Sequence, residues 1–164
     1  LPTNGYAKAY AARVLAEFGG GLKADAVRAG FTVEVVDCPV PAELIPSLLT
    51  LKGRKVDFVL CLPDATLYSA ATIKPLVLAS LEHRIPLVAF SASFVRAGAA
   101  VGVYADLKAL GRQTADVALR YLASNSSNPA EPPRTVQLGI NQRVARLIGL
   151  EFREKESLEV VVFR

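Results

Sequence analysis

Four short stretches hold the side chains best suited to gripping a polar small molecule. They are Pro63-Asp64-Ala65-Thr66-Leu67, Ser91-Ala92-Ser93-Phe94, Tyr104-Ala105-Asp106 and Pro2-Thr3-Asn4-Gly5-Tyr6. Each sets small polar or aromatic groups just ahead of a helix-like segment. Free N–H groups at a helix start can face a ligand carboxylate, and Asp64 or Asp106 can face a cationic group. The candidate contacts are therefore Asp64, Thr66, Ser91, Ser93, Tyr104, Asp106, Asn4 and Tyr6. Plainer roles compete. Thr66 and Asp106 suit helix N-caps, and Ser91 and Ser93 suit an ordinary strand-to-helix turn. Capping and ligand contact are compatible.

Catalytic chemistry finds no purchase. The one histidine, His83, lies in Leu81-Glu82-His83-Arg84, which reads as the charged, surface end of a helix, so a serine triad has no base. No G-x-S-x-G, P-loop or G-x-G-x-x-G occurs. Gly19-Gly20-Gly21 lacks the Lys-Ser/Thr that a phosphate loop needs. Cys38 and Cys61 form no C-x-x-C pair and, with one histidine, offer too few soft ligands for zinc. Both read as small thiols within apolar runs. The sequence thus implies no catalytic residue, metal or cofactor.

The surrounding chain has 164 residues, 52% hydrophobic and 21% charged, which suits one globular core. Its net charge of +4 is scattered over residues such as Lys8, Arg13, Lys52 and Arg112 without interleaved aromatics. That pattern gives no support for a nucleic-acid partner. Every apolar stretch is broken before it could span a bilayer, and no signal peptide is visible. The start at Leu1, without Met, is expected of a fragment or a processed product.

Strand-like and helix-like segments alternate. Strands are expected at Phe31–Asp37, Val56–Leu62, Pro86–Phe90, Ala99–Tyr104 and Thr135–Ile140, short runs apolar on both faces as in a buried parallel sheet. Helices are expected after Thr3 and Asn4 with a Tyr6, Tyr10, Val14, Phe18 stripe, or else a strand at Arg13–Phe18. Further helices are expected over Ala42–Leu51 and Leu67–His83, where Pro75 should kink the helix or delay its start. Another is capped by Asp106 and buries Leu107, Leu110, Thr114, Val117 and Tyr121, and a last one runs from Asn141 to Gly149. Residues 123–133 read as an exposed loop, and Ser157–Arg164 as an added strand. The rhythm predicts an α/β fold: a three-layer, doubly wound, mostly parallel sheet. Residues 1–150 would form a single lobe, followed by a tail at 151–164. In such a sheet ligands meet the carboxyl ends of the strands, which is where three of the four polar stretches fall.

Val56-Asp57-Phe58-Val59 through Pro63-Asp64-Ala65-Thr66, then Arg84-Ile85-Pro86-Leu87-Val88-Ala89-Phe90, resembles the ABC transporter substrate-binding family with the type I periplasmic-binding fold. The likeness continues through Val95-Arg96-Ala97-Gly98-Ala99 and Leu110-Gly111-Arg112-Gln113-Thr114-Ala115. It closes with Asn141-Gln142-Arg143-Val144-Ala145-Arg146-Leu147-Ile148-Gly149-Leu150. The resemblance implies two lobes closing on a small polar solute such as an amino acid, with Asp64, Thr66, Ser91, Ser93 and Asp106 on the binding loops. It also implies delivery to an ABC permease in the membrane and a periplasmic or membrane-anchored extracytoplasmic location, and it leaves a homodimer open. The tail after Leu150 departs from the family's usual finish, and the preceding N-terminal lobe that a complete member carries is not in the chain. An extracytoplasmic ligand-sensing domain of a signalling protein is the alternative. A flavodoxin-like or hydrolase-type enzyme is a third reading, for which no nucleophile–base pair can be assembled.

Overall fold

The computed structural model describes residues 21, 24–54, 56–124, 131–152 and 159–163. The chain divides into two compact units, residues 1–55 with 63–76, and residues 56–62 with 77–164. The expected N-terminal helix, its strand alternative, and the candidates Asn4 and Tyr6 lie outside the described residues.

In the first unit, helical residues 24–28 lead into Phe31–Asp37. The strand expected there does not form among the described residues. β-Branched residues fit a pleated, half-buried surface, but a strand also needs a neighbour's ladder, and Phe31 and Val35 are each 48% exposed. An Arg54–Glu34 ion pair ties the segment down instead. A 3₁₀ turn at Pro41–Glu43, with proline in the first turn where its missing N–H is harmless, opens helix α1 (Leu44–Thr50). Leu44 and Leu48, one turn apart, are its buried face, with Leu51 just beyond.

Helix α2 (Ala70–His83) begins later than Leu67 and carries Pro75 inside it. Its start is fixed by Thr72, whose hydroxyl accepts from the Ser69 N–H at 2.9 Å and donates to the Leu67 carbonyl at 2.5 Å. His83, at its end, is half-buried rather than on the surface.

The second unit holds a five-stranded sheet with the described strands in chain order: β1 (Val59–Leu60), β2 (Leu87–Ala89), β3 (Val101–Ala105), β4 (Val136–Asn141) and β5 (Glu159–Phe163). β1, β2 and β3 run parallel, β4 runs antiparallel to β3, and β5 runs parallel to β4. The chain is thus a mixed α/β protein with a mostly parallel sheet flanked by helices, as expected. Helix α3 (Ala92–Ala97) lies on the sheet, burying Phe94 and Val95, and the following Ala99 and Ala100 are almost fully enclosed.

Helix α4 (Leu107–Ser124) departs from expectation in its buried face. The predicted stripe is not buried: Leu107 is 80% exposed and Tyr121 49%, and the one buried residue is Gln113. The helix is held by polar anchoring rather than an apolar stripe. The Gln113 amide donates to the Pro132 carbonyl at 3.0 Å and accepts from the Arg134 N–H at 3.0 Å. Glu131 braces the same region by pairing with Arg120 and Arg134, and the Arg134 hydrogen bond is the main reason its carboxyl sits below the usual carboxylate range. These contacts aim the chain into β4. Helix α5 (Gln142–Ile148) has the expected caps: the Asn141 side chain accepts from the Val144 N–H, and Gly149 takes the left-handed conformation that glycine tolerates.

Candidate functional site

Because β2 and β3 are parallel, their carboxyl ends open on one edge of the sheet. Ser91 and Ser93 follow β2 there, and Asp106 follows β3. β4 runs the other way, so its first residues reach the same edge: Ala105 pairs with Val136 and Tyr104 with Gln137.

At this rim the capping roles are filled. The Ser91 hydroxyl accepts from the Phe94 N–H at 3.2 Å and lies 3.1 Å from the Ser93 hydroxyl. One Asp106 carboxylate oxygen accepts from the Ala109 N–H at 2.8 Å, and the other accepts from the Gln137 amide at 3.0 Å. A carboxylate offers about four lone-pair sites, so both oxygens keep capacity for a ligand donor. Gln137 is a rim residue the sequence reading missed. Its signal was available, a long amide within the otherwise apolar run at 135–140, but its strand was not read as antiparallel, so its place at this edge was not visible.

Tyr104 is arranged differently. Gly139 leaves room for its ring: a Cβ there would stand 2.8 Å from the hydroxyl and 3.1 Å from Phe163 Cε2. The hydroxyl is buried without a hydrogen-bond partner among the described residues. Burial pushes its pKa up, against a smaller downward pull from the Arg96 guanidinium.

Asp64 and Thr66 belong to the first unit, and Asp64 does the capping there. One of its oxygens accepts from the N–H groups of Thr66 at 2.7 Å and Leu67 at 2.9 Å. The Thr66 side chain is exposed, and the Asp64 side chain half-buried. The Cys38 thiol in the same unit is pushed up chiefly by burial, with Glu43, Asp37 and Asp64 adding to the rise and a Ser47 hydrogen bond opposing it. Such a thiol is a poor nucleophile. Cys61 is fully buried.

The opposite edge of the sheet has another character. There Asn141 is buried, its amide donating to the Val95 carbonyl at 2.9 Å while its oxygen accepts from the Val144 N–H at 3.1 Å. An open hollow of about 590 Å³ lies beyond it on α5, lined by Gln142, Arg143, Arg146 and Leu147. None of the residues predicted to bind a ligand lines it.

The family model described as ABC transporter substrate binding protein matches residues 11–160. No curated protein matches the chain. Among solved structures, the ABC domain in complex with L-Trp from Streptococcus pneumoniae is 25% identical with a TM-score of 0.64, over 92% of this chain and 52% of that one. The ligand-free, open structure of CD0873, a substrate binding protein with adhesive properties from Clostridium difficile, is 21% identical with a TM-score of 0.64, over 87% and 48%. A conserved domain protein from Vibrio cholerae is 22% identical with a TM-score of 0.61, over 85% and 47%. The chain spans about half the length of the structures it matches.

Proposed function

Because the chain belongs to the ABC transporter substrate-binding protein family, we propose that it supplies ligand-facing loops to a binder that closes on a small polar solute and presents it to an ABC permease. The carrying observation is the shared rim of the second unit, where Ser91, Ser93, Asp106 and Gln137 collect at the carboxyl ends of β2 and β3. Asp106 is purely an acceptor and the other three can accept as well as donate, which suits a solute bearing an ammonium group. An amino acid fits that chemistry, and the Streptococcus pneumoniae structure that resembles this chain holds L-Trp. In the first unit, Asp64 is a separate proposed contact, because its second carboxylate oxygen has no partner among the described residues. Thr66, Tyr104, Asn4 and Tyr6 are further proposed contacts.

The role is capture rather than catalysis, carried out on the extracytoplasmic side of a membrane. Among the described residues no helix is long and apolar enough to cross one. Calorimetric titration against a panel of amino acids tests the reading. Asp64→Ala should weaken binding of the preferred solute by about tenfold to a hundredfold, the loss of one charge-assisted hydrogen bond. Equal affinity in mutant and parent would remove Asp64 from the site, and no binding across the panel would remove the amino-acid reading.

A further inference from the structure

At the edge of the sheet remote from the solute rim, where β4 finishes, three arginines stand without carboxylates. Arg143 and Arg146 are exposed on α5, which follows directly from β4. Arg96 lies 5.5 Å over the ring of Phe163, the residue that pairs with Asn141 at the end of β4. Among the described residues none of the three has an ion-pair partner, and the pairs that do form are made elsewhere. Glu151, just past α5, reaches neither arginine of that helix.

Arg146 has an ordinary explanation, since a cation in the last turn complements the carbonyl end of a helix. Arg143 does not. It is the second residue of α5, where a cation meets the positive end of the helix dipole, and no acidic residue stands in that first turn. Arg146 lies one turn further along, close enough for the two like charges to repel. Nothing among the described residues offsets these costs. Yet Arg143 and Arg146, with Gln142 and Leu147, line the open hollow of about 590 Å³. That volume is within the range of small-molecule sites, about 300–1,000 Å³.

We propose that this hollow binds a tetrahedral oxyanion of the phosphate class, at a place separate from the solute rim. The lining is rich in donors. Each guanidinium presents five N–H groups in a planar fork, and Gln142 adds an amide. Such forks suit the spaced oxygens of a phosphate. Charge selects the same class, because a dianion matches both fixed cations whereas one carboxylate neutralises only one of them. Arg96 at the same edge adds to the positive field. Leu147, 63% exposed, borders the hollow with hydrocarbon that suits the carbon part of a phosphomonoester.

Titration of the chain with inorganic phosphate at constant ionic strength, followed by backbone and arginine side-chain NMR shifts, tests the proposal. Saturable shifts confined to residues 142–147 are expected, with sulfate competing and acetate ineffective. Arg143→Gln and Arg146→Gln should each weaken binding by at least about tenfold. Arg143→Lys, which keeps the charge but loses the fork, should weaken it by a smaller factor. Lys108→Gln removes an exposed cation on α4 and should change nothing. Shifts that fail to saturate, that spread over unrelated cations or that survive Arg143→Gln would mean an adventitious ion only and overturn the site. Equal binding of acetate, or tighter binding of an acidic peptide at the same arginines, overturns the phosphate assignment. The preference of the unmodified chain for phosphate over acetate reads the site without any variant. Phosphatidylcholine vesicles containing phosphatidate separate two sources of the same chemistry. Co-sedimentation that Arg143→Gln abolishes marks a lipid headgroup, and phosphate binding without co-sedimentation marks a soluble phosphate.

Discussion

The two edges of the sheet in the second unit use the same device to different ends. At one edge Asp106 caps α4 and Ser91 caps α3. At the other, Asn141 caps α5. Asn141 is buried and shares its amide between α5 and the Val95 carbonyl, so its bonding is committed to holding α3, β4 and α5 together. Asp106 and Ser91 are half-buried and keep acceptor capacity. A cap alone is therefore no sign of function. Spare lone pairs and access to solvent distinguish a cap that can hold a ligand from one that only holds the fold.

That contrast can be broken or sharpened by substitution. Asn141→Ala should have the largest effect on stability, about 2 kcal/mol, because it strips the α5 cap together with the buried amide bond to the Val95 carbonyl, which then keeps only the Gly98 N–H. Chemical denaturation would measure it, and a loss below that of Asp106→Ala would reverse the assignment of the two edges. Asp106→Ala should lower stability by about 1 kcal/mol while weakening solute binding by roughly tenfold or more. Calorimetry and denaturation on the same protein separate the two losses, and a purely structural cap would show only the loss of stability.

Tyr104→Phe should be the mildest, neutral or slightly stabilising at neutral pH, since it removes a buried hydroxyl with no partner among the described residues. Its pH dependence has a definite sign. The folded state raises the Tyr104 pKa above its ordinary value of about 10, so the folded chain holds the proton after the unfolded chain has lost it. The associated stability is present below the unfolded pKa and is lost as pH rises through the folded one. Thermal melts in the alkaline range should fall more steeply for the parent than for Tyr104→Phe, and parallel curves would count against burial of this hydroxyl.

Features set by local chemistry were legible in the sequence. Asn141, Gly149 and Asp106 act within one turn of their own helices, and each occupies the capping role its residue type predicts. The apolar runs at 86–90, 99–104 and 135–140 became strands for a similarly local reason. Strand direction was less accessible, because an isolated apolar run carries no mark of its polarity. The reversal at β4 is accompanied by Gln113 gripping residues 132 and 134, a contact across about twenty positions. The same blindness hid Gln137 and misplaced the buried face of α4. Phe31–Asp37 had the composition of a strand, yet none forms there among the described residues.

The reversal at β4 also bears on the order of assembly. β2 and β3 pair across a short loop that holds only α3, whereas β1–β2 and β3–β4 each pair across a longer helix, α2 or α4. Loop-closure entropy grows with the length between paired strands, so β2–β3 is the pairing with the least to close. β5 has nothing to pair with until β4 is seated. β5 therefore waits on the β3–β4 pairing, and the Gln113 grip on residues 132 and 134 shortens the loop that this pairing must close.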